Sequence, residues 1–380
     1  MDWRVLVVDD LQAADVVEVI EGNKAVEQPD SLICVPCTNF SEAIELLKRE
    51  RFDLVILDLK NDAADEQDVL AGEVVFSELK ECRFLPVIFH TGHPKKVSDL
   101  ASPYVKVVAR GDDWKVLRST IKEVLDTKLP RLVRHIEEEQ RRFMWESAEK
   151  IWADDLDKKN PTDLVYLLAR RLANSLSGDV VRSFFGANGA DGAPKSDMVH
   201  AVELYIFPPV AQHFLFGDIF QKKTAEKPEY FVSLTPSCDH AQEKAEFLLF
   251  ARCADFSDSD EWKKVQVFLD AKTDPSKTSV NELKELMKDN NPRPRLQDRY
   301  KYLPGTSFLP DLLADLQNTL TIDREKLISG EAGFERIASL DSPFAEYLQA
   351  KMIRYFGRIG TPSLDTDLAY GRFKARVMQS

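Results

Sequence analysis

The stretch Val5-Leu-Val-Val-Asp-Asp10 decides the fold of the first third of this 380-residue chain. Four consecutive apolar residues predict a strand that is covered on both faces, and two carboxylates follow it directly. The pattern returns at Val55-Ile-Leu-Asp58, where a second apolar run ends in an aspartate. Strands of this kind belong to parallel sheets, whose connections usually run through helices. The sequence therefore predicts an α/β domain with acidic residues gathered at one edge of its sheet.

The same alternation of apolar runs and amphipathic stretches continues to residue 128. Five strands are expected, at Val5–Val8, Leu32–Val35, Leu54–Leu57, Val87–Phe89 and Val105–Ala109. Four helices are expected, at Leu11–Gly22, Ser41–Arg49, Gly72–Leu79 and Trp114–Leu125. Residues 1–128 are therefore predicted to form a five-stranded, parallel, doubly wound sheet of the flavodoxin-like kind.

The sequence after residue 128 predicts two further parts, a helical connector and a second domain. Residues 129–190 are expected to be a helical connector, because 131–156 are rich in charge and helical in pattern until Asn160-Pro161 interrupts them. Residues 191–380 are expected to form a mixed α+β domain that could contain a small β-barrel. Its expected strands include Val202–Phe207, Tyr230–Leu234 and Phe247–Cys253, with another possible start at Gly217–Phe220. Its expected helices are Pro310–Leu316 and Pro343–Phe356.

Charge and composition narrow the classes of function. The net charge is −13. Residues 1–128 carry 16 basic and 25 acidic side chains, a net charge of −9, so residues 129–380 have a net charge of −4. Neither part has the basic balance expected of a nucleic-acid-binding domain. No apolar run is long enough to span a membrane. The start of the chain lacks a signal-peptide pattern and the cysteines number five, so a reducing cytoplasm is the expected location.

Acidic residues at the strand ends suggest phosphoryl chemistry. Transfer of a phosphoryl group to a carboxylate needs an ionised nucleophile and a divalent cation that neutralises charge. Asp9, Asp10 and Asp58 supply an acidic pocket of the kind that Mg²⁺ prefers. Thr91, at the end of the fourth strand, places a hydroxyl where it could bond a phosphoryl oxygen.

Residues 3–128 resemble the response-regulator receiver family of two-component signalling proteins. The residues that carry the resemblance are Val5–Asp10, Val55–Asp58 and Phe89-His-Thr-Gly92. The resemblance implies a phosphoprotein in a phosphorelay, phosphorylated by a sensor histidine kinase.

The resemblance also assigns roles to individual residues. Asp58 is the implied phosphoacceptor, and Thr91 the implied switch hydroxyl. Asp10 and Asp58 would bind Mg²⁺ directly, Asp9 would act through a bound water, and the backbone carbonyl of Lys60 would complete the protein ligands.

Three positions depart from the family pattern. The family lysine at the end of the fifth strand corresponds by spacing to Arg110, with Lys106 as the alternative. The aromatic residue that usually lies two positions earlier is replaced by Val108. The segment Asn61–Leu70 is a long acidic insertion after the acceptor.

The second half offers one candidate metal site. Cys238 and His240, with Cys253 further on, present the thiolate and imidazole ligands that zinc prefers. No fourth ligand has zinc-like spacing, and His213 is only a candidate. The alternative is that the cysteines are structural and buried.

Two hypotheses of function follow. In the first, phosphorylation of Asp58 is relayed or buffered through protein–protein contacts that residues 129–380 make with a downstream effector, without further enzymatic activity. The chain is similar in this respect to the receiver component of Detocs-type anti-phage phosphorelays. In the second, residues around Cys238, Asp239 and His240 form the site of a phosphorylation-gated enzyme.

The connector leaves the oligomeric state open. The stripe Leu132, Ile136, Phe143 and Ile151 is consistent with the seam of a homodimer formed by an extension of the last receiver helix. The alternative is a connector that lies against its own domain.

Overall fold

The computed structural model describes residues 1–22, 30–60, 71–148, 161–175, 198–223, 227–288, 298–358 and 364–378. The chain divides into two compact units, Met1–Ser196 and Asp197–Ser380. The acidic insertion Asn61–Leu70 and residue Ile151 of the expected seam lie outside the described residues. No helix within the described ranges combines the length and the apolar content needed to cross a membrane.

Five parallel strands form the sheet of the first unit. They are β1 (Asp2–Val8), β2 (Ser31–Cys37), β3 (Leu54–Leu57), β4 (Val87–Thr91) and β5 (Val105–Ala109). Their order in the sheet is β2-β1-β3-β4-β5, and each neighbouring pair is parallel. This is the flavodoxin-like order, and it confirms the predicted fold class of residues 1–128.

Helices cover both faces of this sheet. They are α1 (Ala13–Gly22), α2 (Phe40–Arg49), α3 (Ala71–Cys82) and α4 (Trp114–Asp126). The apolar sides of α2 and α3 pack on one face, and those of α1 and α4 pack on the other. Two 3-10 turns, Pro94–Lys96 and Ser98–Leu100, connect β4 to β5, and the fully buried Val97 between them packs on the sheet in place of a helix.

The next helix is not an extension of α4. Helix α5 (Leu129–Arg142) begins after Lys128, whose φ of 63° is left-handed and so breaks the helical path. Pro130 in its first turn suits a new start, because the proline nitrogen has no proton to donate there. A π-helical turn, Phe143–Ala148, follows α5, and α6 (Pro161–Ser175) comes later in the chain.

Helix α5 lies against its own unit. The Arg134 guanidinium binds the Asp53 carboxylate through both Nε and Nη2, with Nε 3.1 Å from Oδ1, and it also donates to the Asp2 carbonyl at 2.8 Å. Arg51 pairs with Glu137 and with Glu138, each at 3.2 Å. For α5, the structure therefore favours the connector that packs on its own domain. A homodimer stays a prediction, as do the predicted boundaries at residues 128 and 190.

Seven antiparallel strands form the sheet of the second unit. They are β6 (Tyr205–Ile206), β7 (Asp218–Lys222), β8 (Glu229–Ser233), β9 (Phe247–Asp255), β10 (Tyr300–Leu303), β11 (Leu312–Asp323) and β12 (Phe334–Leu340). Their order in the sheet is β10-β11-β9-β8-β7-β12-β6. The helices are α7 (Ser237–Ala241), α8 (Asp260–Asp270), α9 (Lys277–Met287), α10 (Arg324–Ile328), α11 (Phe344–Phe356) and α12 (Thr366–Val377).

This sheet is a half-barrel. Its edge strands β6 and β10 form no backbone pairing with each other in the described residues. Side chains link the two edges instead, since Tyr205 Oη donates to the Pro304 carbonyl at 2.9 Å and the Phe207 and Phe308 rings stack at 4.0 Å. The concave core includes Leu348 and Tyr355 of α11. The predicted α+β domain is confirmed, and its β part is open.

Two local predictions in this unit are wrong. Pro310–Leu316 was predicted as a helix, but Leu312–Asp323 is strand β11. Leu312 and Leu313 on that strand are both buried, on opposite faces of the sheet, so its apolar residues do not alternate as they do in a half-exposed strand. Only Tyr205–Ile206 of the predicted strand Val202–Phe207 is extended, because a 3-10 turn occupies Ala201–Leu204.

Candidate functional site

The candidate residues of the first unit lie at the carboxyl edge of its sheet. Asp9 and Asp10 follow β1, and Asp58 follows β3, which is the neighbour of β1. Thr91 ends β4, and Arg110 follows β5. Ligands of doubly wound sheets bind at this edge, where the strand order reverses.

Three carboxylates meet there. Asp9, Asp10 and Asp58 each offer one oxygen, and these oxygens all lie within 4.8 Å of one another. Asp9 and Asp58 are each only 2% exposed, whereas Asp10 is half-buried. In the described residues this is the one group of three or more potential metal ligands.

Asp9 holds the chain in its turn toward α1. Its Oδ1 accepts hydrogen bonds from the backbone nitrogens of Leu11 at 3.0 Å and Gln12 at 2.7 Å. The second oxygen, Oδ2, accepts a hydrogen bond from Arg110. Both oxygens of Asp9 therefore have partners within the protein.

Arg110 is the cation of the site. Its Nη2 lies 2.5 Å from Asp9 Oδ2 and 2.9 Å from Asp58 Oδ2, so one nitrogen bridges two carboxylates. The backbone nitrogen of Arg110 donates to the Thr91 carbonyl at 3.0 Å, which fixes its position beside β4. The alternative, Lys106, pairs with Glu123 at 2.5 Å instead. The structure therefore places Arg110, and not Lys106, in the pocket.

Asp58 is a buried carboxyl between a cation and a hydroxyl. Burial raises the pKa of its carboxyl, while the Arg110 cation and the Thr91 hydroxyl act in the opposite direction. Asp58 Oδ2 lies 2.9 Å from Arg110 Nη2, but neither oxygen of this carboxylate accepts a hydrogen bond of regular geometry from the described residues. Buried oxygens in this condition, next to two further carboxylates, fit a divalent cation with oxygen ligands.

Thr91 and its neighbours complete the wall of the pocket. Thr91 is fully buried, and its Oγ1 accepts a hydrogen bond from the backbone nitrogen of His93 at 3.2 Å. His90 is buried with its ring centroid 5.5 Å from that of Trp114, while His93 is exposed. Val108, which stands in place of an aromatic residue, is buried in the same core as Trp114.

One site residue was not predicted from the sequence. Gly72 lies against the backbone of Asp58 and Leu59, and a Cβ added there would be 2.1 Å from the Asp58 carbonyl oxygen. Its nitrogen donates to the Leu59 carbonyl at 3.1 Å. The sequence signal was a glycine at the start of a predicted helix, which by itself does not specify a close approach. Lys60 is half-buried two residues after Asp58, and the role of its carbonyl stays a prediction.

The zinc candidates do not come together. Cys253 is buried on β9 inside the apolar core, and Cys238 is exposed at the start of α7. His240 is buried, and its Nε2 lies 3.2 Å from Ser233 Oγ. These residues form no group of three ligand atoms in the described structure, so the zinc site at Cys238, His240 and Cys253 stays a prediction without supporting geometry.

Comparisons with known proteins give structural likenesses only. No family model matches the chain, and no curated protein matches it. The response regulator TrrA from Thermotoga maritima, in complex with Mg²⁺ and BeF, is 24% identical, with 32% of this chain and 98% of that chain covered and a TM-score of 0.25. A CheY-like receiver domain protein from Methanospirillum hungatei is 20% identical, with 34% and 97% covered and a TM-score of 0.27.

A third likeness is to the receiver domain of the Francisella response regulator 1452. It is 16% identical, with 33% of this chain and 98% of that chain covered, and the TM-score is 0.26. The fold of the first unit is established independently of these likenesses by its own strand order and pairing.

Proposed function

We propose that this protein accepts a phosphoryl group on Asp58 from a sensor histidine kinase. The observation that carries the proposal is the meeting of three carboxylates, a buried threonine and an arginine at the carboxyl edge of one parallel sheet. Each of these groups has a part in moving a phosphoryl group onto a carboxylate.

The reaction is a displacement at phosphorus. An oxygen of ionised Asp58 attacks the phosphorus of a phosphohistidine, the P–N bond breaks, and the imidazole leaves as the product is formed. The new bond is an acyl phosphate. Burial raises the pKa of the Asp58 carboxyl, and the adjacent Arg110 cation opposes that rise. Thr91 would donate its hydroxyl proton to a phosphoryl oxygen after the transfer.

Asp10 and Asp58 would hold a Mg²⁺ ion, with Asp9 acting through a water. The Lys60 carbonyl would complete these protein ligands. When bound, the ion neutralises charge on the phosphoryl group. Asp9 suits the indirect role because its own oxygens already serve Leu11, Gln12 and Arg110.

The second unit would carry the signal onward through protein–protein contacts, as a relay or a buffer in the cytoplasm. The five free thiols are consistent with a reducing compartment. The alternative, a gated enzyme with a site around Cys238, Asp239 and His240, is less favoured, because the His240 ring is buried against Ser233 whereas Cys238 is exposed. An anti-phage role rests on the sequence resemblance alone. It is tested by plating phage on cells that carry the wild-type protein and on cells that carry Asp58→Asn instead.

Acetyl phosphate tests the proposed reaction without the kinase. The full chain is incubated with acetyl phosphate and Mg²⁺, and its intact mass is measured. We expect one added phosphoryl group on the wild type and on Asp99→Asn, a matched change of an exposed aspartate. We expect none on Asp58→Asn, and an equal gain on all three proteins would overturn the proposal.

A further inference from the structure

We propose that Arg110 is a built-in counter-ion that competes with the divalent cation for the acidic pocket and so sets the affinity of the unphosphorylated protein for that cation. This inference rests on the proposed function, because the pocket concerned is that of Asp58. Arg110 would thus act before phosphorylation, at the step in which the unphosphorylated protein binds the divalent cation that it needs for the reaction.

The contact geometry supports competition. A single nitrogen, Arg110 Nη2, lies within 2.9 Å of one oxygen on each of Asp9 and Asp58. Those two residues belong to the three-carboxylate group whose ligand oxygens lie within 4.8 Å of one another. A guanidinium that bridges two members of such a group occupies space that a divalent cation would need. It also neutralises part of the negative charge that would attract that cation.

The surroundings make the bridge persistent. Asp9 and Asp58 are each 2% exposed, and the Arg110 side chain is 19% exposed. Charges that are this close and largely removed from water interact much more strongly than a surface pair. The other oxygen of Asp9, Oδ1, already accepts hydrogen bonds from the backbone nitrogens of Leu11 and Gln12. It is therefore less available to a divalent cation.

An internal cation changes the electrostatic balance of the pocket. Three carboxylates with one guanidinium attract a divalent cation less than three carboxylates alone. Removal of the guanidinium should therefore strengthen cation binding. Replacement by lysine keeps the charge, although it loses the planar fork.

Calorimetric titration of the full chain with MgCl₂ tests this inference. We expect Arg110→Gln to bind Mg²⁺ about tenfold more tightly than the wild type, because it removes a nearby positive charge from a buried site. Arg110→Lys should stay close to the wild type. Lys106→Gln is the matched control, because it removes a cation of β5 that pairs with Glu123 outside the pocket, and its affinity should not change.

An unchanged or weaker affinity in Arg110→Gln would overturn the inference. If wild-type protein neither binds Mg²⁺ nor gains mass from acetyl phosphate, the proposed function fails. If the wild type is phosphorylated but Arg110→Gln leaves the affinity unaltered, only the present inference fails.

A second measurement covers the case in which Arg110→Gln does not fold. The side-chain Nε–H signal of Arg110, assigned by its loss in Arg110→Lys, is followed in the wild type during the MgCl₂ titration. We expect it to shift to the position of a more solvated guanidinium as the ion saturates the site. A signal that does not move would contradict displacement of Arg110.

Discussion

Gly72 lies directly against the main chain of Asp58. A Cβ built at residue 72 would come within 2.1 Å of the Asp58 carbonyl oxygen and within 2.8 Å of the Leu59 Cα. The first turn of α3 thus packs against the segment that holds Asp58. The position of Asp58 therefore depends on a residue that has no side chain.

We predict that Gly72→Ala displaces Asp58 and slows its phosphorylation. A methyl group cannot fit there unless the backbone moves, so we expect a stability loss of about 1–3 kcal/mol and a rate at least about tenfold lower. Acetyl phosphate kinetics and urea unfolding measure these effects. The control is Gly92→Ala, since a Cβ at Gly92 meets no atom within 4 Å. Equal rates for the two variants would contradict the prediction.

The pair of Arg134 with Asp53 should be a major support of the first unit. Asp53 is 3% exposed, and it also accepts a hydrogen bond from the Arg4 nitrogen at 2.8 Å. Loss of Arg134 leaves the buried Asp53 with only the more distant Arg51, whose Nη2 lies 3.9 Å from Asp53 Oδ1, so we expect Arg134→Gln to cost about 3 kcal/mol in urea unfolding.

Two further variants control that measurement. The double variant Arg134→Gln with Asp53→Asn should recover part of the loss, because neither buried charge remains. Arg142→Gln removes a more exposed pair with Glu139 and should have little effect. A loss no larger than that of Arg142→Gln would show that α5 is not anchored by Arg134.

His240 should make the second unit sensitive to acid. Burial, followed by the nearby Arg324 cation, lowers the pKa of His240 from 6.5 to about 4. Between these values the unfolded chain binds the proton more readily, so stability is fully present above pH 6.5 and falls as the pH drops toward 4.

A comparison with His240→Gln isolates this effect. The unfolding free energy of the wild type should fall relative to that of the variant by up to about 1.4 kcal/mol per pH unit across this window. His90 is present in both proteins, so its contribution cancels. A difference that does not depend on pH would count against a buried neutral His240.

Much of the first unit was predictable because its signals are local. The bounds predicted for Leu54–Leu57 and Val105–Ala109 agree with β3 and β5, since β3 is an uninterrupted apolar run and β5 is apolar except at Lys106. Asp9, Asp10 and Asp58 could be grouped from sequence because parallel strands bring their carboxyl ends to one edge.

Contacts between distant elements were not predictable in the same way. Spacing alone left Arg110 and Lys106 as alternatives, and only the register of β5 against β4 places Arg110 beside Asp9. The approach of Gly72 to Asp58 depends on how α3 packs. In the second unit, the burial of β11 on both faces removed the alternation that identifies a strand.

The central claim is that Asp58 is the residue that carries the phosphoryl group. The most direct measurement treats the full chain with acetyl phosphate and Mg²⁺, converts any acyl phosphate with borohydride, and identifies the modified residue by peptide mass spectrometry. We predict that Asp58 is converted to homoserine in the wild type and that no other aspartate is. Conversion at a different aspartate, or none in protein that binds Mg²⁺, would contradict the claim.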